Sequence, residues 1–141
     1  MKISVLGSGA FGTALAISLT TGENSITLWG RNPKQVTAFS QDRENKDRLP
    51  NCPFPTSLCV TSDLELAGDA DAILIAVPTQ SLRKFVEKNH KYLQRKTLIA
   101  CCKGFDMETG KGPVDMLKNA SDQAAILTGP SFANDIARGL P

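Results

Sequence analysis

Residues 7–12 read Gly-Ser-Gly-Ala-Phe-Gly, directly after the apolar run Ile3–Leu6 and directly before a segment with helical spacing. No other feature constrains the fold as tightly. Gly7 permits the sharp turn out of a strand, and Gly9 carries no side chain to keep a pyrophosphate from the backbone. Gly12 lets the following helix pack closely on the sheet. A helix that starts there presents unpaired N–H groups and the positive end of its dipole to phosphates. Such a hexapeptide alone is weak evidence, because turns use glycine for many purposes. Its place between a strand and a helix is the context that points to dinucleotide binding rather than to a merely structural turn.

The rest of the chain repeats this alternation. Apolar runs of strand length at Ile26–Trp29, Leu58–Val60, Ala72–Val77, Thr97–Cys102 and Ala124–Thr128 alternate with helical patterns. The first helix spans Ala10 to Thr20, with Phe11, Leu15 and Leu19 on one face and Gly22 as its stop. Pro33 opens a second helix through Ser40. Gln41–Ser57 holds Pro50, Pro53 and Pro55 without a clear period, which predicts a long surface loop. Ser62-Asp63-Leu64-Glu65 fits a capping box. Pro78 suits a helix start, and Leu82, Phe85, Val86 and Leu93 share the face of the helix that follows. Further helices are expected at Pro113–Asn119 and from Gly129-Pro130-Ser131 to Arg138. Ala72–Val77 is apolar throughout, as a central parallel strand buried on both faces must be. Strands alternating with helices imply right-handed crossovers and a doubly wound, mostly parallel α/β sheet over residues 1–141.

Composition excludes several other classes. A chain of 141 residues with 41% hydrophobic and 21% charged residues is an ordinary globular domain. Its net charge of +2, with acids interspersed among the bases, provides no nucleic-acid surface. The chain opens on a strand rather than on a charged leader, and no apolar run approaches the roughly 20 residues that span a bilayer. Cys52, Cys59, Cys101 and Cys102 form no Cys-x-x-Cys pair. Neighbours on a strand face opposite ways, so Cys101 and Cys102 cannot share a metal. Buried free thiols, no metal site and a cytoplasmic location are the expectations. The sole histidine, His90, has no partner in the sequence and reads as structural.

In open α/β sheets ligands lie beyond the carboxyl ends of the strands. At the second of these ends, Leu28-Trp29-Gly30-Arg31-Asn32 lacks the acid that usually accepts from the adenosine ribose of NAD. Arg31 can pair with a 2′-phosphate through its planar fork and stack on adenine. That favours NADP without excluding NAD, and a solvent-facing arginine is the plainer alternative. Pro78 either brings backbone near the cofactor or simply starts a helix. Lys103 sets an ammonium beside Gly104 where a buried strand ends. Gly129-Pro130-Ser131-Phe132-Ala133 makes a helix start with a hydroxyl suited to an anion, or one in which Ser131 only caps its helix. Trp29 reads as packing.

Taken together, Gly-Ser-Gly-Ala-Phe-Gly-Thr-Ala-Leu-Ala (7–16), Leu-Trp-Gly-Arg (28–31), Leu-Pro-Asn (49–51), Val-Pro-Thr (77–79), Cys-Lys-Gly (102–104) and Gly-Pro-Ser-Phe-Ala (129–133) resemble the bacterial NAD(P)-dependent glycerol-3-phosphate dehydrogenases. The resemblance implies a Rossmann domain that binds NADP or NAD, and dihydroxyacetone phosphate reduced to sn-glycerol 3-phosphate for phospholipid synthesis. It implies that Ala10 and Phe11 contact the cofactor beside Gly7, Gly9 and Gly12, with Arg31 at the adenosine end. Lys103 would touch cofactor and substrate, Gly129 and Ser131 would line the substrate site, and Ala133 would lie near the cofactor. Ala10 stands where relatives often have serine and offers only its backbone N–H. Asn32 stands where some relatives have a second basic residue.

The family's proton-accepting lysine belongs to a helical second domain, and no residue among these 141 matches it. The chain is therefore expected to be the cofactor-binding part of a longer enzyme, inactive alone, with a homodimer as the whole protein's further expectation. Two other readings stay open on the motifs. One is the dinucleotide domain of a hydroxyacid or ketopantoate-type dehydrogenase; the other is a non-catalytic nucleotide-sensing module.

Overall fold

The computed structural model describes residues 1–140. Its strands are β1 (Lys2–Leu6), β2 (Ser25–Trp29), β3 (Cys59–Thr61), β4 (Ala72–Ile75), β5 (Thr97–Ala100) and β6 (Ala124–Ile126). They form one sheet in the order β3-β2-β1-β4-β5-β6, and every neighbouring pair is parallel. Helices α1 (Ala10–Leu19), α2 (Pro33–Asp42), α3 (Leu64–Gly68), α4 (Thr79–Lys88), α5 (His90–Leu93), α6 (Pro113–Leu117) and α7 (Ala133–Ala137) fill the connections. The chain runs outward from β1 through β2 to β3, then returns to lay β4 against the other side of β1. Connections leaving β1 and β4 diverge to opposite faces at that reversal and open a crevice above their carboxyl ends.

The period of two along each strand divides the core between the faces. Val5 and Leu74 face one cluster with Ala14, Leu15 and Ile17 of α1 and Phe39 of α2. Leu6, Ile73 and Ile75 face the other, with Leu82 and Val86 of α4, Leu93, Met116 and Leu117. Burying each such Leu or Ile contributes about 1.5–3 kcal/mol. Cys101 joins the first cluster and Cys102 the second, so the two thiols do lie on opposite faces.

Several local expectations need correction. Helix α1 ends at Leu19 with Thr20 in a right-handed conformation, and Gly22 does not take a positive φ. The Thr20 and Thr21 hydroxyls donate to the carbonyls of Ile17 and Ser18 instead, satisfying groups that a glycine cap would have served. Asp63, not Ser62, caps α3. Its carboxylate accepts from the N–H groups of Glu65 at 2.8 Å and Leu66 at 3.4 Å, while the Ser62 carbonyl accepts from the Trp29 indole. The helix expected from Pro78 to Leu93 breaks at Asn89, whose backbone and side-chain N–H groups both donate to the Phe85 carbonyl. Gly129-Pro130-Ser131 does not open α7, which begins at Ala133 with Phe132 as its flanking residue and without a side-chain cap.

The largest difference lies in the stretch read as a surface loop. Leu49, Cys52 and Phe54 are buried there, packed with Phe39 and Leu15 in the first cluster. Arg43, left-handed at φ 51°, leans over the Phe54 ring and donates to the carbonyls of Pro55 and Leu58. The segment forms only an isolated antiparallel bridge, Glu44 to Pro53, and its prolines do not prevent its apolar side chains from packing.

Candidate functional site

Strand β1 delivers residues 7–12 to the carboxyl edge of the sheet at its point of reversal. The Gly7 N–H closes onto the Trp29 carbonyl, while Thr13 donates to the Gly9 carbonyl to start α1. Between them the N–H groups of Ser8, Gly9, Ala10, Phe11 and Gly12 donate to no acceptor among the described residues. This is a row of backbone donors at a helix start, as an anion requires.

The three glycines are there for different reasons. Gly7 sits at φ +123°, and a Cβ on it would lie 2.5 Å from the Ala76 carbonyl oxygen. A Cβ on Gly12 would lie 2.0 Å from the Gly7 carbonyl oxygen. Those two are demanded by the protein itself. A Cβ on Gly9 would meet nothing within 4 Å. The space above Gly9 is open, so a group can approach the backbone there without meeting a side chain. That geometry fits a pyrophosphate.

The other expected residues lie along the same edge. In strand order it runs from Arg31 after β2, through the glycine turn after β1 and Pro78 after β4, to Lys103 after β5 and Gly129 after β6. Arg31 and Lys103 are therefore three interstrand steps apart, roughly 14 Å at ordinary sheet spacing. Arg31 is exposed and makes no hydrogen bond or ion pair among the described residues. Pro78 flanks α4 and is exposed, while the buried Thr79 hydroxyl donates to the Lys103 carbonyl at 2.5 Å. The Lys103 ammonium donates to the Gly129 carbonyl at 2.8 Å, bringing these two expected residues together. Ser131 is exposed, and its hydroxyl caps nothing. Ala133 opens α7, which lies against α1. Phe11 and Ala10 are half-buried at the start of α1. Trp29 packs at a tilt on Phe85, as a structural tryptophan should.

Cys101 is not poised for chemistry. Burial, with some help from Cys102, pushes the Cys101 thiol up to about 12, so it stays protonated at neutral pH. Contrary to expectation, Cys59 is exposed: it lies on the edge strand β3, which has a neighbouring strand on one side only.

Motif reading passed over the residues that hold this edge in place. The loop carrying Lys103 is stapled to α4 by Gln80, whose side-chain amide donates to the Phe105 carbonyl and accepts from the Met107 N–H. Arg83 donates to Asp106 at 3.1 Å and also pairs with Glu108 and Glu87. No spacing rule marks these residues, because they meet only when β5 lies beside β4. The Thr109 hydroxyl, opposed by burial and aided by the Arg83 guanidinium, holds the Asp106 carboxyl below the usual carboxylate range. A depressed carboxyl contributes stability above its unfolded value, near pH 4, and loses that contribution as pH falls through the folded value. Asp106→Asn is therefore expected to lower the urea midpoint at pH 7, with the difference from wild type closing as the pH drops below about 4. A gap that stayed constant from pH 7 to pH 2 would refute the ionic contribution.

Comparison with known proteins shows the family to which this fold belongs. The profile of the family described as NAD-dependent glycerol-3-phosphate dehydrogenase N-terminus matches residues 2–141. A glycerol-3-phosphate dehydrogenase (NAD(P)+) of Roseobacter denitrificans is 50% identical over 144 aligned residues, covering all of this chain and 44% of that relative. The crystal structure of a glycerol-3-phosphate dehydrogenase from Coxiella burnetii superposes with a TM-score of 0.89 at 26% identity, over 99% of this chain and 44% of the other. One from Plasmodium falciparum gives 0.83 at 25% identity, over 98% and 43%. The chain thus spans less than half the length of these relatives.

Proposed function

The chain belongs to the family of NAD-dependent glycerol-3-phosphate dehydrogenase N-termini, and from that premise we propose that it is the dinucleotide-holding part of an enzyme interconverting dihydroxyacetone phosphate and sn-glycerol 3-phosphate with NADP(H) or NAD(H). The observation that carries the proposal is the row of unpaired N–H groups from Ser8 to Gly12 beneath open space at Gly9. Family membership favours this over the ketopantoate-type and nucleotide-sensing readings.

Each expected residue then has a task. The Ser8–Gly12 amides hold the pyrophosphate, and Arg31 receives the adenosine end. Pro78 and Ala133 flank the dinucleotide. Lys103 is steered by its bond to the Gly129 carbonyl toward the place where cofactor and substrate phosphate meet, and Gly129 and Ser131 line the substrate side. When bound, the nicotinamide supplies or receives the hydride. In this reading these residues bind and orient, and the proton acceptor that the substrate hydroxyl needs within hydrogen-bond reach is not one of them.

We assign that proton acceptor to a lysine in a further, helical domain of the whole protein, outside residues 1–141. Exposed apolar side chains at the Lys103 end support such a neighbour: Phe105 is 69% exposed, Met107 88% and Phe132 78%. The whole enzyme would act in the cytoplasm, as a homodimer, to supply glycerol 3-phosphate for phospholipid synthesis; residues 1–141 alone would bind the cofactor with negligible turnover.

Calorimetric titration with NADPH and then NADH tests this reading. Saturable uptake of at least one is expected, and a chain that takes up neither would end the proposal. Arg31→Ala should weaken NADPH about tenfold, the worth of one charge-assisted contact, and NADH less. An unchanged NADPH affinity would remove Arg31 from the site.

A further inference from the structure

The inner side of the glycine turn is held by a residue that belongs to neither the turn nor the sheet. Asn45, in the segment after α2, is completely buried. Its Nδ2 donates to the Ser8 carbonyl at 2.9 Å and to the Thr13 hydroxyl, also completely buried, at 2.9 Å. A carbonyl can only accept, so the amide's orientation is chemically fixed. Its Oδ1 then has no partner among the described residues. A buried acceptor left unsatisfied is costly, and a similarly shaped apolar side chain would avoid that cost. The amide is therefore kept for its two donors.

What those donors accomplish follows from the planarity of the peptide. In a trans peptide the C=O and the next N–H point in opposite directions. With the Ser8 carbonyl drawn toward Asn45, the Gly9 N–H must point away from the buried segment. A peptide beside glycine flips cheaply, because glycine accepts either backbone conformation. The flipped form would aim a carbonyl where an anion is to sit. Resting on the dinucleotide reading above, we propose that Asn45 is a positioning residue: it locks the Ser8–Gly9 peptide in its anion-accepting orientation, so the segment after α2 sets the affinity of the pyrophosphate site. Thr13 is the second anchor, fixing the amide relative to the first turn of α1.

The test measures NADPH and NADH affinity for wild type, Asn45→Ala, Thr13→Val and Thr13→Ser, each at a temperature where circular dichroism reports a folded chain. Both dinucleotides share the pyrophosphate, so Asn45→Ala should weaken them equally, by about tenfold, unlike Arg31→Ala. Thr13→Val should weaken both severalfold, while Thr13→Ser, which keeps the hydroxyl, should restore wild-type binding. The Thr13 pair decides the matter if Asn45→Ala does not fold. Wild-type affinity in folded Asn45→Ala, or equal binding by Thr13→Val and Thr13→Ser, would overturn the role of Asn45 alone. A wild-type chain that binds neither dinucleotide would overturn the reading of the turn, and this inference with it.

Discussion

Gly9→Asp is expected to abolish dinucleotide binding while leaving the folded chain as stable as before, or slightly more so. Gly9 occupies the flanking position of α1 at φ −71°, ψ 178°, an extended conformation open to any residue. A Cβ there meets nothing. Aspartate is a preferred residue at this position, accepting from the N–H groups of the first turn and favouring the helix dipole by a few tenths of a kcal/mol over glycine. The same carboxylate occupies the free N–H donors of the turn and adds a charge that repels the proposed pyrophosphate. Two charge-assisted hydrogen bonds forfeited, at roughly 1.5–3 kcal/mol each, lower affinity by about a hundredfold or more. Calorimetry paired with urea unfolding measures both quantities. Retained binding would show that the open space above Gly9 is not where the ligand lies, and binding and stability lost together would show that this position is not free to take a side chain.

Gly12→Ala should do the reverse: damage the fold first, and binding as a consequence. Within a helix, alanine is favoured over glycine by about 1 kcal/mol, so propensity alone predicts stabilisation. Geometry opposes it. The added methyl would lie 2.0 Å from the Gly7 carbonyl oxygen and 3.0 Å from the Ala76 Cβ. Neither neighbour is a flexible side-chain tip, so α1 must move off the sheet or the turn must open. Overpacking of this kind costs about 1–3 kcal/mol and more where backbone is the obstacle. We expect a net loss of about 2 kcal/mol or more, which is a large share of a typical 5–15 kcal/mol total. The urea midpoint should fall clearly, and the melting temperature by roughly 5 °C or more. An unchanged or higher midpoint would mean that helix propensity outweighs the close approach of α1 to β1.

The legibility of this chain divides along physical lines. The glycine spacing could be read because each glycine answers a local demand, two of them now visible as contacts that a Cβ would violate. Arg31, Pro78, Lys103 and Gly129 could be placed because a parallel sheet delivers every strand end to one edge. Ser131 was assigned a helix start that lies two residues further on at Ala133, since a short helix can begin at either place without altering the apolar pattern. Asp63 took the capping role from Ser62 because both residues suit it, and a neighbouring tryptophan claimed the serine's carbonyl.

Residues 41–57 were the least legible stretch. Three prolines and scattered charges suggest solvent, yet Leu49, Cys52 and Phe54 supply part of the core and Asn45 reaches the glycine turn. Irregular backbone has no period to read, and a buried amide in a loop looks like any other asparagine until its partners are known.

The sequence by itself determined the α/β alternation, the two-faced burial of the central strands and the glycine turn between β1 and α1. Each rests on periodicity or on glycine at fixed spacing, which are properties of near neighbours along the chain. Only the tertiary structure decided that Asn45 steadies that turn, that Gln80 and Arg83 hold the Lys103 loop, and that Lys103 meets Gly129. Those contacts join residues 23 to 37 positions apart. Strand order and crossover packing bring them together, and no local pattern encodes it.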